Sequence, residues 1–224
     1  MTPYSTISLT ASSLLLLLWG SVAQQHAVLD VDGDELLVGR DYVISSTYRG
    51  AAGGYLSLRP GTCPQPVIQT LSDRQPGLPV SFWPASGARG GPVNVSANLD
   101  IQFIIDAATW AQCDANPVWM VGTDSWTGIG FVQTGGELGP NKDPEYWFRI
   151  EPYESNYKLS YCWACEICET MPCRDLSIRM DVHGRRLALA LPIPIPIERP
   201  FEVVFWKGCW GNEGARTNKM STDN

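Results

Sequence analysis

Histidine is scarce in this 224-residue chain, with only His26 and His183 present. His26 lies near one end, where backbone is usually loosely held, so a Ser–His–Asp site would have to rest on His183. No G-x-S-x-G elbow accompanies it; the nearest approach, Gly122-Thr123-Asp124-Ser125, lacks the second glycine. His183 itself reads as a solvated turn residue within Asp181-Val182-His183-Gly184-Arg185-Arg186. Positive charge is also short: 16 Lys and Arg stand against 23 Asp and Glu, a net charge of −7. Without a basic block the chain has no electrostatic footprint for nucleic acid. Beyond residue 23 there is no apolar run long enough to span a membrane, and no stretch of about 11 residues with helical periodicity. No glycine-rich phosphate loop occurs. Asp30, Asp32 and Asp34 alternate, but they lack the position-six glycine and distal glutamate of an EF-hand loop and read as an acidic turn. The residues give no positive sign of catalysis, and no cofactor or metal site is expected.

What is abundant is turn and strand chemistry. The chain holds 21 Gly and 17 Pro, and 44% of its residues are hydrophobic, which excludes disorder. Short runs rich in β-branched and aromatic residues recur between Gly, Pro, Asp and Asn clusters. They are Tyr42–Ile44, Tyr55–Leu58, Val80–Trp83, Ile101–Ile105, Val118–Val121, Tyr146–Ile150, Tyr157–Tyr161, Leu187–Leu191 and Phe201–Trp206. The pattern predicts an all-β chain of roughly a dozen strands, closed as a barrel or stacked as a sandwich. Segments 102–106, 147–151 and 203–207 each run an apolar strand into a charge, but their uneven spacing shows no threefold repeat.

Residues 1–23 carry no charged side chain, contain Leu14-Leu15-Leu16-Leu17-Leu18-Trp19, and end in Ser21-Val22-Ala23. This predicts a signal peptide cleaved after Ala23 rather than a membrane anchor. A single domain over residues 24–210 and a polar tail over 211–224 follow. Cys162, Cys165, Cys168 and Cys173 are spaced C-x2-C-x2-C-x4-C. Iron–sulfur or zinc ligation and a Cys165–Cys168 redox pair are the alternatives to disulfides, and export favours disulfides. One arrangement nests Cys165–Cys168 inside Cys162–Cys173; Cys63 and Cys113 form the distant pair. Cys209 is left as a free thiol or the link of a disulfide dimer. Asn94-Val95-Ser96 is a sequon, making Asn94 a candidate glycosylation site.

The run Val28-Leu29-Asp30-Val31-Asp32-Gly33-Asp34-Glu35-Leu36, then Gly39 and Asp41-Tyr42-Val43-Ile44-Ser45, closely resembles the opening signature of plant Kunitz-type (soybean trypsin inhibitor-like) protease inhibitors. So do Trp147-Phe148-Arg149-Ile150-Glu151 and Tyr157-Lys158-Leu159-Ser160-Tyr161-Cys162, where family members carry F-x-I-E and Y-K-L-x-F-C. Residues 184–189 and 201–205 resemble the closing strands, and Cys165 with Cys168 resembles the miraculin-like branch. The resemblance implies a β-trefoil: a six-strand barrel with a six-strand cap. It also implies a long first disulfide, a shorter second one and a secreted or vacuolar location.

As activity, the resemblance implies substrate-like insertion of one loop, between the fourth and fifth strands, into a serine endopeptidase. Strand ends aligned on Val80–Trp83 and Ile101–Ile105 put that loop at residues 84–92, including Ser86, Gly87, Ala88, Arg89, Gly90 and Gly91. Arg89 suits the acidic pocket of a trypsin-like enzyme. A register shifted by one would offer Ala88, which suits elastase- or subtilisin-like pockets. The loop-bracing asparagine of family inhibitors falls at Val38, which has no side-chain donor. Each of Gly87, Gly90 and Gly91 adds roughly 0.5–1 kcal/mol of ordering entropy relative to alanine, while Pro84 and Pro92 restore stiffness. The competing reading is a non-inhibitory trefoil for seed storage or carbohydrate or receptor binding. The Arg185-Arg186 turn is the candidate for a second protease-facing loop, against a solvated hairpin.

Overall fold

The computed structural model describes residues 26–105, 113, 116–140, 146–163, 173–182, 184–191 and 198–208. The expected signal peptide over residues 1–23, Cys165, Cys168, His183, Cys209 and the expected tail over 211–224 lie outside the described residues. Among those described, twelve strands follow in chain order: β1 Tyr42–Ser46, β2 Leu56–Leu58, β3 Val67–Gln69, β4 Val80–Pro84, β5 Leu99–Phe103 and β6 Trp119–Thr123. The second half is β7 Gly130–Thr134, β8 Tyr146–Tyr153, β9 Asn156–Trp163, β10 Arg174–Asp181, β11 Gly184–Leu189 and β12 Glu202–Lys207.

Six of them close a ring. The antiparallel ladder runs β12–β1–β4–β5–β8–β9, and β9 pairs back onto β12 through Glu202↔Lys158 and Val203↔Tyr157. Closure removes the unpaired edges that an open sheet would expose. The other six form hairpins β2–β3, β6–β7 and β10–β11. These meet one another at Arg186↔Ile68 and Ala188↔Phe131 to make the cap. This is the barrel and cap of a β-trefoil, with the strands that open each four-strand unit starting at Tyr42, Leu99 and Asn156. The three similar charge-ended segments do not follow that period, since β5 opens a unit while β8 and β12 close theirs.

Alternation along the barrel strands turns one face inward. Ile44, Phe82, Leu99, Ile101, Ile150, Leu159, Val203 and Phe205 are buried together as a single core. Its aromatics meet edge to face, as in Phe82–Phe205 with centroids 5.6 Å apart and Trp119–Phe148 at the same separation. Each such pair adds about 0.5–1.5 kcal/mol to its area burial. Two disulfides are formed among the described residues. Cys63–Cys113 joins the β2–β3 connection to the chain ahead of β6, and Cys162–Cys173 ties the end of β9 to the start of β10.

Candidate functional site

Strands β4 and β5 pair from Val80↔Phe103 to Pro84↔Leu99, and the chain between them makes the loop. Its near limb is held by Ala85 N donating to Asn98 O at 2.9 Å and by Gly87 N donating to Pro84 O at 2.9 Å. Gly87 takes φ +76° and Gly91 φ +89°, conformations that favour glycine, so these two do more than loosen the loop. Ser86 through Pro92 are exposed, and Val93 then drops into the core. A concavity of about 560 Å³ lies behind the loop. Ala88, Gly90 and Pro92 line it, whereas Arg89 and Gly91 do not. Arg89 is exposed and stands clear of that lining. No described residue pairs with its guanidinium.

The far limb is braced by backbone. Val38 is 8% exposed, its side chain packed in the core, yet its N–H donates to Gly91 O at 3.0 Å. Val93 N donates to Leu36 O at 2.7 Å, Val28 N to Val93 O at 2.8 Å, and Val95 N to His26 O at 2.9 Å. Residues 26–38 therefore fold back on themselves, with Leu29 bridged to Glu35, and both limbs pair with residues 91–95, through Ala27 with Asn94 and Leu37 with Pro92. His26 is not the loosely held terminus expected from its position, because its carbonyl belongs to this ladder. Asn94 of the sequon sits half-buried at the rim of the concavity, its backbone bridged to Ala27. Behind it Ser96, at φ +59°, donates its hydroxyl to Glu151, and Arg149 Nε donates to Asn98 Oδ1 at 2.7 Å.

The second candidate loop is corrected by the structure. Arg185 is not a solvated turn arginine: its Nη1 donates to Ala51 O at 3.0 Å and Gly53 O at 3.1 Å, and its Nη2 to Ala52 O at 2.9 Å. Burial pushes its guanidinium pKa down. Arg186 is 8% exposed, lies 3.8 Å over the Phe131 ring and pairs with Asp181 at 3.0 Å. Arg185 ties the β10–β11 hairpin to the β1–β2 connection and Arg186 packs within the cap, so neither is offered to a protease. Asp124, from the glycine–serine sequence near a nucleophile elbow, is a turn cap. Its Oδ1 accepts the Thr127 N–H at 2.8 Å and the Trp126 N–H at 3.0 Å, and these bonds hold its pKa below the ordinary range. Among the described residues no cluster of three or more His, Cys, Asp or Glu is placed to hold a metal ion.

A family model for Kunitz (legume) trypsin and protease inhibitors matches residues 28–207, from the N-terminal brace to the end of β12. The chain belongs to this family. It is 31% identical to Kunitz trypsin inhibitor 5 of Arabidopsis thaliana over 188 residues, covering 82% of this chain and 86% of that protein. Against the alpha-amylase/subtilisin inhibitor of Oryza sativa subsp. japonica it is 33% identical over 201 residues, covering 87% and 91%. Among solved structures it is similar to soybean trypsin inhibitor (Kunitz) complexed with 1,5-disulfonyl naphthalene. That match has a TM-score of 0.63 at 27% identity and covers 81% of this chain and 99% of that one. The described residues supply twelve strands of the Kunitz trefoil, with a backbone ladder at Val38, where the resemblance places the family's bracing asparagine.

Proposed function

We propose that this Kunitz protein inhibits trypsin-like serine endopeptidases by seating residues 84–92 in the active site, with Arg89 in the primary specificity pocket. The observation that carries the reading is the place of Arg89, exposed midway along a loop whose two limbs are tied at Gly87 and Gly91 and clear of the concavity behind it. An acidic pocket receives such a guanidinium through paired charge-assisted hydrogen bonds. Ala88, which lines that concavity, is the less available of the two for a subtilisin-like pocket. Inhibition rather than turnover follows from the limbs. With Gly87 tied to Pro84 and Gly91 tied to Val38, cutting the Arg89–Gly90 bond leaves both ends in place to rejoin. A loop already ordered before binding retains more of its contact energy. The protein acts as a non-catalytic inhibitor, and the same reading puts it in a secreted or vacuolar compartment, which the two disulfides among the described residues support.

The test is a titration of bovine trypsin, with subtilisin in parallel, using the full protein and Arg89→Ala. Stoichiometric trypsin inhibition that disappears in the variant is the expected result. Inhibition that survives Arg89→Ala moves the site elsewhere. No inhibition by either form favours the non-inhibitory trefoil.

A further inference from the structure

The side chain of Lys207, at the end of the last strand, reaches a group of three carboxylates from the opposite end of the domain. Its Nζ lies 2.5 Å from Asp34 Oδ2, 3.1 Å from Asp32 Oδ2 and 3.4 Å from Asp30 Oδ2. Asp30 is the inner member. Its Oδ1 accepts the N–H groups of Asp32 at 2.9 Å and Asp34 at 3.0 Å, folding residues 30–34 into a turn that Gly33 completes at φ +84°. Its Oδ2 is buried, accepts no hydrogen bond from the described residues, and lies 3.4 Å from the lysine. The turn also docks on β12 directly, through Val31 N donating to Phe205 O at 3.0 Å. Hydrogen bonds to Asp34 and then Asp32 hold the ammonium well above the ordinary lysine pKa.

The residues flanking this turn are those that hold the inhibitory loop. Val28 and Leu36, on either side, bracket Val93, and Val38 bonds Gly91. On the other edge the segment meets β12 and Tyr157, whose hydroxyl accepts the Leu29 N–H at 3.0 Å. Residues 28–38 are therefore a spacer between the closing barrel strand and the far limb of the loop. Without a cation among them, three carboxylates would repel one another at the point where that spacer is anchored.

We infer that Lys207 is a positioning residue for inhibition: clamped by Asp30, Asp32 and Asp34, it fixes residues 28–38 and through them the Gly91–Val93 limb behind Arg89. The inference rests on the trypsin reading for its effect on affinity, but its mechanical part stands independently. The experiment compares the full protein with Lys207→Met and Lys207→Arg. Two readouts are taken, the inhibition constant for bovine trypsin and amide hydrogen exchange resolved by residue. Lys207→Met should weaken inhibition about tenfold, mainly through faster cleavage and release, because a small displacement of a preorganised group is costly. The Val38 and Val93 amides should exchange faster while those of Ile150 and Leu159 in β8 and β9 keep their protection, and Lys207→Arg should restore both readouts. Unchanged exchange at Val38 and Val93, or acceleration shared equally by β8 and β9, overturns the inference whatever trypsin does. If the wild-type protein leaves trypsin active, the trypsin reading fails alone, and the exchange pattern still decides the clamp.

Discussion

The indole of Trp83 closes directly over Gly39, so that a Cβ at position 39 would stand 3.0 Å from its Cη2. Gly39 adopts φ +71° and donates its N–H to Phe82 O at 3.2 Å, which sets the N-terminal spacer against the base of the loop. Both the contact and the left-handed backbone exclude a side chain there. Gly39→Ala is expected to cost about 1–2 kcal/mol from the backbone term alone and to weaken trypsin inhibition as well. Urea unfolding and the inhibition constant, measured on the same samples, check both.

The three loop glycines should respond differently to alanine. At Gly90 a Cβ meets nothing within 4 Å and φ is not positive, whereas Gly87 and Gly91 sit in the left-handed region. Gly90→Ala therefore removes freedom only from the unbound loop. It should tighten inhibition by about two- to fivefold, the equivalent of roughly 0.4–1 kcal/mol. Gly87→Ala and Gly91→Ala should weaken it. A trypsin titration of the three variants gives the order.

The arginines divide into structural and functional. Arg186 is packed on Phe131 and paired with Asp181. Arg186→Ala should lower stability by about 2–3 kcal/mol and leave trypsin inhibition at 25 °C intact. Arg89, exposed and without a partner among the described residues, should do the opposite: Arg89→Ala changes stability by less than about 0.5 kcal/mol and abolishes inhibition. Thermal denaturation beside the titration distinguishes the two patterns.

The Cys63–Cys113 bridge closes a separation of 50 residues. In the chain-entropy model its loss costs about 4 kcal/mol. The bridge lies away from the Gly91–Val93 ladder, so the Cys63→Ser/Cys113→Ser protein should unfold at much lower urea. It should still inhibit while folded.

Acid should weaken the fold from the cap. Hydrogen bonds from Thr127 depress the Asp124 pKa; at Glu198 burial pushes upward but is outweighed by the Leu191 N–H, Ser177 and Arg179. A carboxylate whose folded pKa is depressed contributes stability above its unfolded value, and that contribution is lost as pH falls through the folded one. Stability should hold level above the ordinary values of 3.8 and 4.5 and decline below them. Asp124→Asn should make the decline shallower, as urea midpoints between pH 2 and pH 6 would show (roughly the span over which carboxylates titrate).

The strands rich in β-branched and aromatic residues, such as β1, β4 and β12, were legible in the sequence, and so was the place of the loop between Val80–Trp83 and Ile101–Ile105. Three strands left no such trace. β3 has only three residues, β7 begins on Gly130, and β10 buries Ser177 against Glu198 while exposing Met180, which inverts the hydrophobic pattern. The brace was illegible for a different reason: it uses the N–H and C=O groups of residues 26–38, which every residue type possesses. The acidic turn was read correctly as a turn, but its partner Lys207 lies 173 residues along the chain from Asp34. Arg185 and Arg186 look like solvated turn residues because the carbonyls that receive one belong to the distant β1–β2 connection and the ring under the other to the β6–β7 hairpin.

The most direct measurement is the identity and fate of the bond that trypsin cuts. Full-length protein is incubated with a catalytic amount of bovine trypsin, and the products are followed by mass spectrometry and residual inhibition. The account predicts a single new amino terminus at Gly90, intact and cut forms approaching a stable ratio, and inhibition retained by both. Cleavage at another bond, or complete cleavage after Arg89 with inhibition lost, would contradict it.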